Sequence, residues 1–133
     1  MDRFAATISV LLATLAGSGV RPNRDKATAL VVHGTPATLR ALDEKLTEAG
    51  YDVAPVGDFQ EARRAIELCA PDILMTGVQL GQFNGLHLAI LYKQMRPDGR
   101  VVVLTTYEDD VLSAEAARIG AEWVVLPPAP ERA

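Results

Sequence analysis

The chain has 133 residues, of which 49% are apolar, and its 13 basic and 17 acidic residues give a formal net charge of −4. This length fits one domain, and the apolar fraction excludes a disordered chain. No run of Lys and Arg marks a surface for nucleic acid, so we expect no nucleic-acid partner. The one cysteine, Cys69, cannot form an internal disulfide, which is consistent with a cytoplasmic protein.

The beginning of the chain predicts an amphipathic helix. Its apolar residues recur with helical spacing and form one stripe, made of Phe4, Ile8, Leu11, Leu12 and Leu15. Asp2 is placed to cap this helix and Gly17 to end it, and residues 17–28 are typical of a polar linker. We therefore expect a helix and linker over residues 1–28 and a second unit over residues 29–133.

Three interpretations of this helix remain open from its residues alone. It could be a cleaved signal peptide, although Asp2 lies in the segment that should be basic. It could lie on a membrane surface, although its polar face lacks the Lys and Arg typical of such helices, and it is too short to span a bilayer. It could also be a helix that packs against its own domain or joins two copies of the chain. We favour the packed helix.

From residue 29 onward, strand and helix patterns alternate. Short apolar runs predict strands over 29–32, 51–56, 72–76, 101–104 and 122–126. Helices are predicted over 36–49, 59–69 and 85–95, and from 109 or 110 to 119. The Thr35 hydroxyl is expected to cap the first of these, and Asp58 with Glu61 to form a capping box for the next. We expect Cys69 and Met95 to lie on the apolar stripes of their helices.

Strands joined by single helices require right-handed crossovers, and hence a parallel sheet with helices on both faces. The expected fold class is α/β, with a flavodoxin-like five-stranded sheet in the order 2-1-3-4-5. Five residues fall at the carboxyl ends of the predicted strands and should therefore cluster at one edge of the sheet: His33, Gly34, Gly77, Thr105 and Pro127.

Several short motifs occur in a familiar order between residues 29 and 128. They are Leu30-Val31-Val32, Thr35-Pro36, Pro71-Asp72-Ile73-Leu74, Asn84-Gly85-Leu86, Leu104-Thr105 and Gly120-Ala121. In this order and spacing they resemble the response-regulator receiver domain. The resemblance implies a cis peptide bond at 127–128. It also implies a fifth helix after the last strand, for which the chain provides too few residues. We expect the amino-terminal helix to cover the same face.

The resemblance also assigns roles to the five clustered positions. The family's two magnesium-binding acids correspond to His33 and Gly34, its phosphoacceptor aspartate to Gly77, and its lysine to Pro127. The family's hydroxyl residue is kept as Thr105. Its aromatic switch residue corresponds to Val124, and the neighbouring Trp123 should point to the opposite side of the strand.

These replacements remove the parts that phosphoryl transfer needs. Gly77 has no side chain to phosphorylate, and hard cations such as magnesium prefer carboxylate oxygens to imidazole. We therefore expect a pseudo-receiver: a non-enzymatic signalling module without metal or cofactor that acts by contact with a protein partner. A homodimer through the amino-terminal helix is one possibility. The alternatives are a sensor that binds a small molecule in the vacated pocket, and a remnant without a selected role.

Overall fold

A computed structural model of the chain describes residues 3–16 and 27–127. Its helices are α1 (Arg3–Ala16), α2 (Pro36–Glu48), α3 (Phe59–Cys69), α4 (Gly85–Met95) and α5 (Asp110–Arg118). Its strands are β1 (Thr28–Val32), β2 (Asp52–Val56), β3 (Ile73–Gly77), β4 (Gln79–Leu80), β5 (Phe83–Asn84), β6 (Arg100–Thr105) and β7 (Glu122–Val125). The predicted alternation of strand and helix is confirmed.

Five of the strands form one parallel sheet in the order β2-β1-β3-β6-β7. Counted along the sheet strands alone, this is the predicted order 2-1-3-4-5. Because the strands are parallel, their carboxyl ends meet at one edge, which is where a site is expected in such a sheet. The remaining strands, β4 and β5, pair into a short antiparallel hairpin directly after β3.

Side-chain caps set where three of the helices begin. The carboxylate of Asp58 accepts a hydrogen bond from the Glu61 N–H (2.8 Å), and Asp109 accepts one from the Leu112 N–H (3.0 Å). Asn84 caps α4 in the same way. Thr35 occupies the N-cap position of α2, but its hydroxyl makes no capping bond, so the predicted hydroxyl cap is wrong. Its backbone N–H is bound by a side chain of the candidate site instead.

Helices cover both faces of the sheet. One core cluster lies under α3, α4 and α5, and the other lies under α1 and α2. Four residues of the α1 stripe are buried and Leu12 is partly buried. They share a cluster with sheet residues Ile73, Met75, Val102 and Leu104. Helix α1 therefore packs beside α2 over the central strands. In the described ranges, no helix has both the length and the apolarity to cross a membrane.

Some local predictions are wrong. Cys69 is exposed because the buried stripe of α3 ends at Ile66, and Ala70 then turns the chain with a φ of 42°. Met95 is exposed because the buried stripe of α4 ends one turn earlier, at Tyr92, whose hydroxyl donates to the Pro71 carbonyl. Thr28 belongs to β1 and not to the linker.

Several predictions fall on residues that the structure does not describe. They are the cap at Asp2, the helix end at Gly17, residues 17–26 of the linker, and the peptide bond at 127–128.

Gly85, at the start of α4, lies where the chain leaves no room for a side chain. A Cβ there would lie 1.9 Å from the Gly77 carbonyl oxygen, a backbone atom that cannot move aside alone. We expect Gly85→Ala to lower the free energy of unfolding by about 3 kcal/mol. At Gly57 a Cβ would meet nothing within 4 Å, so Gly57→Ala is the matched control. Urea unfolding measures the stability of both variants. Equal stability would contradict the close approach of Gly85 to the Gly77 carbonyl oxygen.

Candidate functional site

A small polar pocket lies at the carboxyl ends of β1, β3 and β6. It has a volume of about 150 Å³ and is lined by His33, Thr35, Gly77, Val78, Gln79, Leu104, Thr105, Thr106 and Tyr107. Three of the five residues expected to cluster here, His33, Gly77 and Thr105, are among them. The parallel strands bring these three together from distant parts of the chain.

The imidazole of His33 lies over Gly77. A Cβ added at Gly77 would lie 3.1 Å from His33 Cδ2 and 3.5 Å from Nε2. The ring therefore occupies the space into which a side chain at position 77 would extend. A side chain at this position would begin in tight contact with the imidazole, which would have to shift by a few tenths of an ångström to admit its Cβ.

The hydrogen bonds of His33 define its tautomer. The Thr35 N–H donates to Nδ1 at 3.1 Å, so Nδ1 carries no proton and the neutral ring holds its proton on Nε2. Burial lowers the pKa of His33 below its usual 6.5, because the charged form loses its hydration. Protonation would also break the bond to the backbone at the start of α2. The site is thus built around a neutral imidazole.

This state of His33 predicts a pH dependence. The folded-state pKa is lowered, so His33 favours the folded chain above pH 6.5, and that contribution is lost as the pH falls through the folded-state pKa. Nitrogen-detected NMR of the imidazoles should show an unprotonated Nδ1 at neutral pH and titration below 6.5. A His33 that titrates at or above 6.5 would contradict the partly buried, neutral ring. His33→Gln identifies its signals against those of exposed His87.

Thr105 lines the pocket, whereas Gly34, which was expected there, is exposed and does not line it. Thr105 is buried, and its hydroxyl oxygen accepts a hydrogen bond of 3.4 Å from the Tyr107 N–H, so it satisfies a local backbone donor. Gly34 directly follows His33, and a Cβ there would lie 3.6 Å from the Gln79 carbonyl oxygen, an ordinary contact. Unlike at Gly85, packing does not by itself require a glycine at position 34.

The end of β7 contributes less than expected. Pro127 is partly exposed and does not line the pocket, although the preceding Leu126 N–H donates to the Thr105 carbonyl (2.7 Å). Trp123 and Val124 belong to the clusters on opposite faces of the sheet, as predicted from the alternation of a strand. Trp123 is partly buried beneath the helices of its face.

The pocket provides polar but uncharged groups. None of its described lining residues is Asp, Glu, Lys or Arg, and its polar side-chain atoms come from hydroxyls, one amide and the neutral imidazole of His33. Among residues 3–16 and 27–127, no three His, Cys, Asp or Glu side chains lie close enough to hold a metal ion. As it stands, this arrangement can donate and accept hydrogen bonds but supplies no fixed charge.

Sequence reasoning did not assign six of the lining residues to the pocket: Thr35, Val78, Gln79, Leu104, Thr106 and Tyr107. Gln79 lies in β4, whose hairpin turns at Gly81 with a φ of 64°, and Tyr107 lies in the loop before α5. The Gly81 turn and the cap at Asn84 were the available signals for this hairpin. Strands of two residues are too short for a periodic pattern, so their pairing could not be predicted.

Comparison with known proteins gives a family for this fold and site. The sequence model of the response regulator receiver domain matches residues 29–132. The chain is 26% identical over 107 residues to the chemotaxis protein CheY of Thermotoga maritima, covering 77% of this chain and 88% of that protein. It is 30% identical over 95 residues to the DNA-binding transcriptional regulator NtrC of Azospirillum brasilense, covering 71% of this chain but only 20% of that regulator.

Solved structures show the same fold. A CheY-like receiver domain protein from Methanospirillum hungatei superposes with a TM-score of 0.72 at 21% identity, covering 79% of this chain and 84% of that one. A response regulator from Burkholderia pseudomallei, solved with a phosphorylated aspartic acid, superposes with a TM-score of 0.71 at 25% identity, covering 79% and 62%. Its sequence match and its fold together place this chain in the family of response regulator receiver domains, the input modules of two-component signalling.

Proposed function

We propose that this receiver domain signals without phosphorylation, through contact with a protein partner in a bacterial signalling pathway of the cytoplasm. The observation that supports the proposal most directly is the position of His33 over Gly77. The resemblance to the family assigns the acceptor aspartate to position 77, where this chain has no side chain and where the space is filled by a neutral ring.

The chemistry of the pocket supports a non-enzymatic domain. Phosphoryl transfer to a carboxylate needs a nucleophile, a divalent cation on oxygen ligands, and charges that stabilise the transferred oxygens. Position 77 offers no nucleophile, and the two positions after β1 hold an imidazole and a glycine. Because none of the lining residues is charged, no cation is favoured there. Of the family's reactive residues, the hydroxyl of Thr105 remains.

The alternative function, a small-molecule sensor, is less well supported. Pockets for drug-sized ligands have volumes of about 300–1,000 Å³. The pocket at His33 has about 150 Å³. Its hydroxyl and amide groups would orient only a small, neutral, polar molecule. A bound molecule that contacts both His33 and Thr105 would support the sensor.

A homodimer is a second form of protein contact that we consider. Helix α1 uses its apolar stripe on the sheet of its own chain, and Val10 is the large apolar side chain of α1 that stays exposed. A dimer through this helix would therefore require two copies to exchange α1. Sedimentation velocity over a range of protein concentrations distinguishes an exchanged dimer from a monomer.

Phosphodonors should leave the chain unchanged. After incubation with magnesium and either acetyl phosphate or beryllofluoride, we expect the intact mass and the Trp123 fluorescence to stay the same, because position 77 has no acceptor. Gly77→Asp alone should also give no adduct, because the metal-binding acids remain absent and His33 occupies the space.

A receiver domain that retains its acids and its aspartate serves as the positive control for the donor. A stoichiometric adduct on the native chain would contradict the proposal. His33→Gln then tests whether such an adduct is a phosphoimidazole, because the adduct would disappear in that variant.

A further inference from the structure

The surface next to the candidate site carries aromatic side chains that the fold leaves exposed. Phe83 of the β4–β5 hairpin and Tyr107 of the loop before α5 are 43% and 42% exposed. They line a groove of about 230 Å³ that also includes Leu112. Val111, in the first turn of α5 and next to Leu112 in the chain, is 76% exposed. We call the groove and Val111 the hairpin–α5 surface; it adjoins the pocket at His33, since Gln79 and Tyr107 line both.

The hairpin side of this surface is held in place. Leu80, which pairs with Phe83, is buried in the core, and Asn84 caps α4. The rings of Phe59 and Phe83 are stacked, with their centroids 4.6 Å apart and their planes at 15°. Phe83 is therefore presented to solvent in one orientation. An aromatic side chain that is already ordered loses little conformational entropy when a partner binds.

Charge on this surface has one sign. The acidic loop, Glu108–Asp110, lies between Tyr107 and Val111 of this surface, and no ion pair with a described residue neutralises its carboxylates. Asp109 is used as the cap of α5, and Asp110 favours the dipole of that helix. Glu108 has neither role. None of the described residues that line the groove is basic.

We propose that the hairpin–α5 surface binds a protein segment in which a large apolar side chain lies next to Lys or Arg. The apolar side chain enters the groove against Phe83 and Tyr107, and the basic side chains pair with the acidic loop. The groove is smaller than the pockets that hold drug-sized ligands, which favours one inserted side chain over a free small molecule. The acidic loop repels nucleic-acid phosphates and anionic lipid. This inference rests on the proposed function and names the class of partner.

Two synthetic amphipathic helical peptides test it, one of Leu and Lys and one of Leu and Glu. NMR spectra of the isotope-labelled full chain should show shifts from the Leu/Lys peptide that are confined to residues 79–84 and 105–112. The binding should weaken as salt is added. The Leu/Glu peptide should cause no shifts at concentrations up to about 1 mM.

Variants separate the apolar and charged parts of the surface. Phe83→Gln or Val111→Gln should weaken binding of the Leu/Lys peptide about tenfold. Glu108→Gln should weaken it severalfold and reduce its salt dependence. Leu68→Gln is the control because Leu68 is 77% exposed on α3, outside this surface, and its effect should stay within about twofold.

Equal binding of both peptides, shifts spread over the whole chain, or no shifts with the Leu/Lys peptide would overturn the inference. So would an equal loss in Leu68→Gln and Phe83→Gln, or shifts that appear with protein concentration alone, which would assign the surface to a second copy. A phosphoadduct would overturn phosphorylation independence without changing the peptide results. Failure of peptide binding would likewise leave the phosphodonor result intact.

Discussion

Leu11→Asp is expected to unfold the domain or to lower its free energy of unfolding by more than about 3 kcal/mol. Leu11 is 5% exposed and belongs to the cluster under α1 and α2, with sheet residues such as Met75 and Val102. The substitution removes a buried aliphatic side chain and places a carboxylate among the apolar side chains of this cluster. Urea unfolding monitored by circular dichroism measures this decrease in the free energy of unfolding.

Val10→Asp is the matched control for Leu11→Asp. Val10 is the adjacent residue on α1 and is 69% exposed, so the same new charge should change stability by less than about 0.5 kcal/mol. Equal, small effects of the two substitutions would show that α1 does not pack on the sheet in solution, and the signal-peptide interpretation would then gain support. Equal, large effects would indicate that both faces of α1 are buried.

Asp72→Ala is expected to cost about 3 kcal/mol of stability. Asp72 is 2% exposed, and its carboxylate accepts hydrogen bonds from the Thr28 N–H (2.8 Å) and hydroxyl (3.1 Å). The guanidinium of Arg96 pairs with its other oxygen at 2.8 Å. These contacts join the start of β1 to the start of β3 and the end of α4. Breaking a buried ion pair costs about 3–5 kcal/mol of stability. We expect the lower value here, because Arg96 is partly exposed and its guanidinium can be hydrated again.

Asp98→Ala is the matched control for Asp72→Ala. Asp98 also approaches Arg96, at 3.7 Å, but its side chain is 85% exposed. An exposed ion pair contributes about 0–1 kcal/mol, so this variant should be nearly as stable as the native chain. An equal loss in the two variants would mean that the charge of Arg96, and not the buried network around Asp72, determines the effect.

The stability due to Asp72 should depend on pH in one direction. Burial raises the pKa of Asp72, but the hydrogen bonds from Thr28 and the charge of Arg96 outweigh it and hold the pKa below its ordinary 3.8. The stabilising contribution of Asp72 is therefore present above pH 3.8, and it is lost as the pH falls through the lowered pKa of the folded state. Unfolding curves from about pH 6 to about pH 2 should show the difference between native chain and Asp72→Ala shrinking in that window. A constant difference would contradict the lowered pKa.

Periodic apolar patterns and caps were sufficient to predict the sheet, its strand order and all five described helices. Each helix buries several residues at regular spacing, so single errors do not alter its existence. The same reasoning failed at Cys69 and Met95, at the ends of their stripes. There the pattern continues along the helix after the sheet surface no longer covers it, and exposure depends on where the neighbouring element ends.

The candidate site also has features that the sequence predicted and features that it did not. The sequence alone indicated which residues follow the strands, because strand ends are local features and parallel pairing places them at one edge. It also showed that position 77 lacks a side chain. Where Pro127 lies and which residues of the hairpin line the pocket depended on contacts between distant segments, and no local pattern encodes such contacts.

The sequence by itself determined that this chain folds as a receiver-type sheet and that position 77, at the end of the third strand, has no side chain. Both properties follow from residue types and their spacing. Only the tertiary structure decided that the His33 ring fills the space above Gly77 and that Phe83 and Tyr107 stay exposed beside it. Those features depend on side-chain directions at the meeting point of β1, β3 and the β4–β5 hairpin, which chain folding alone brings together.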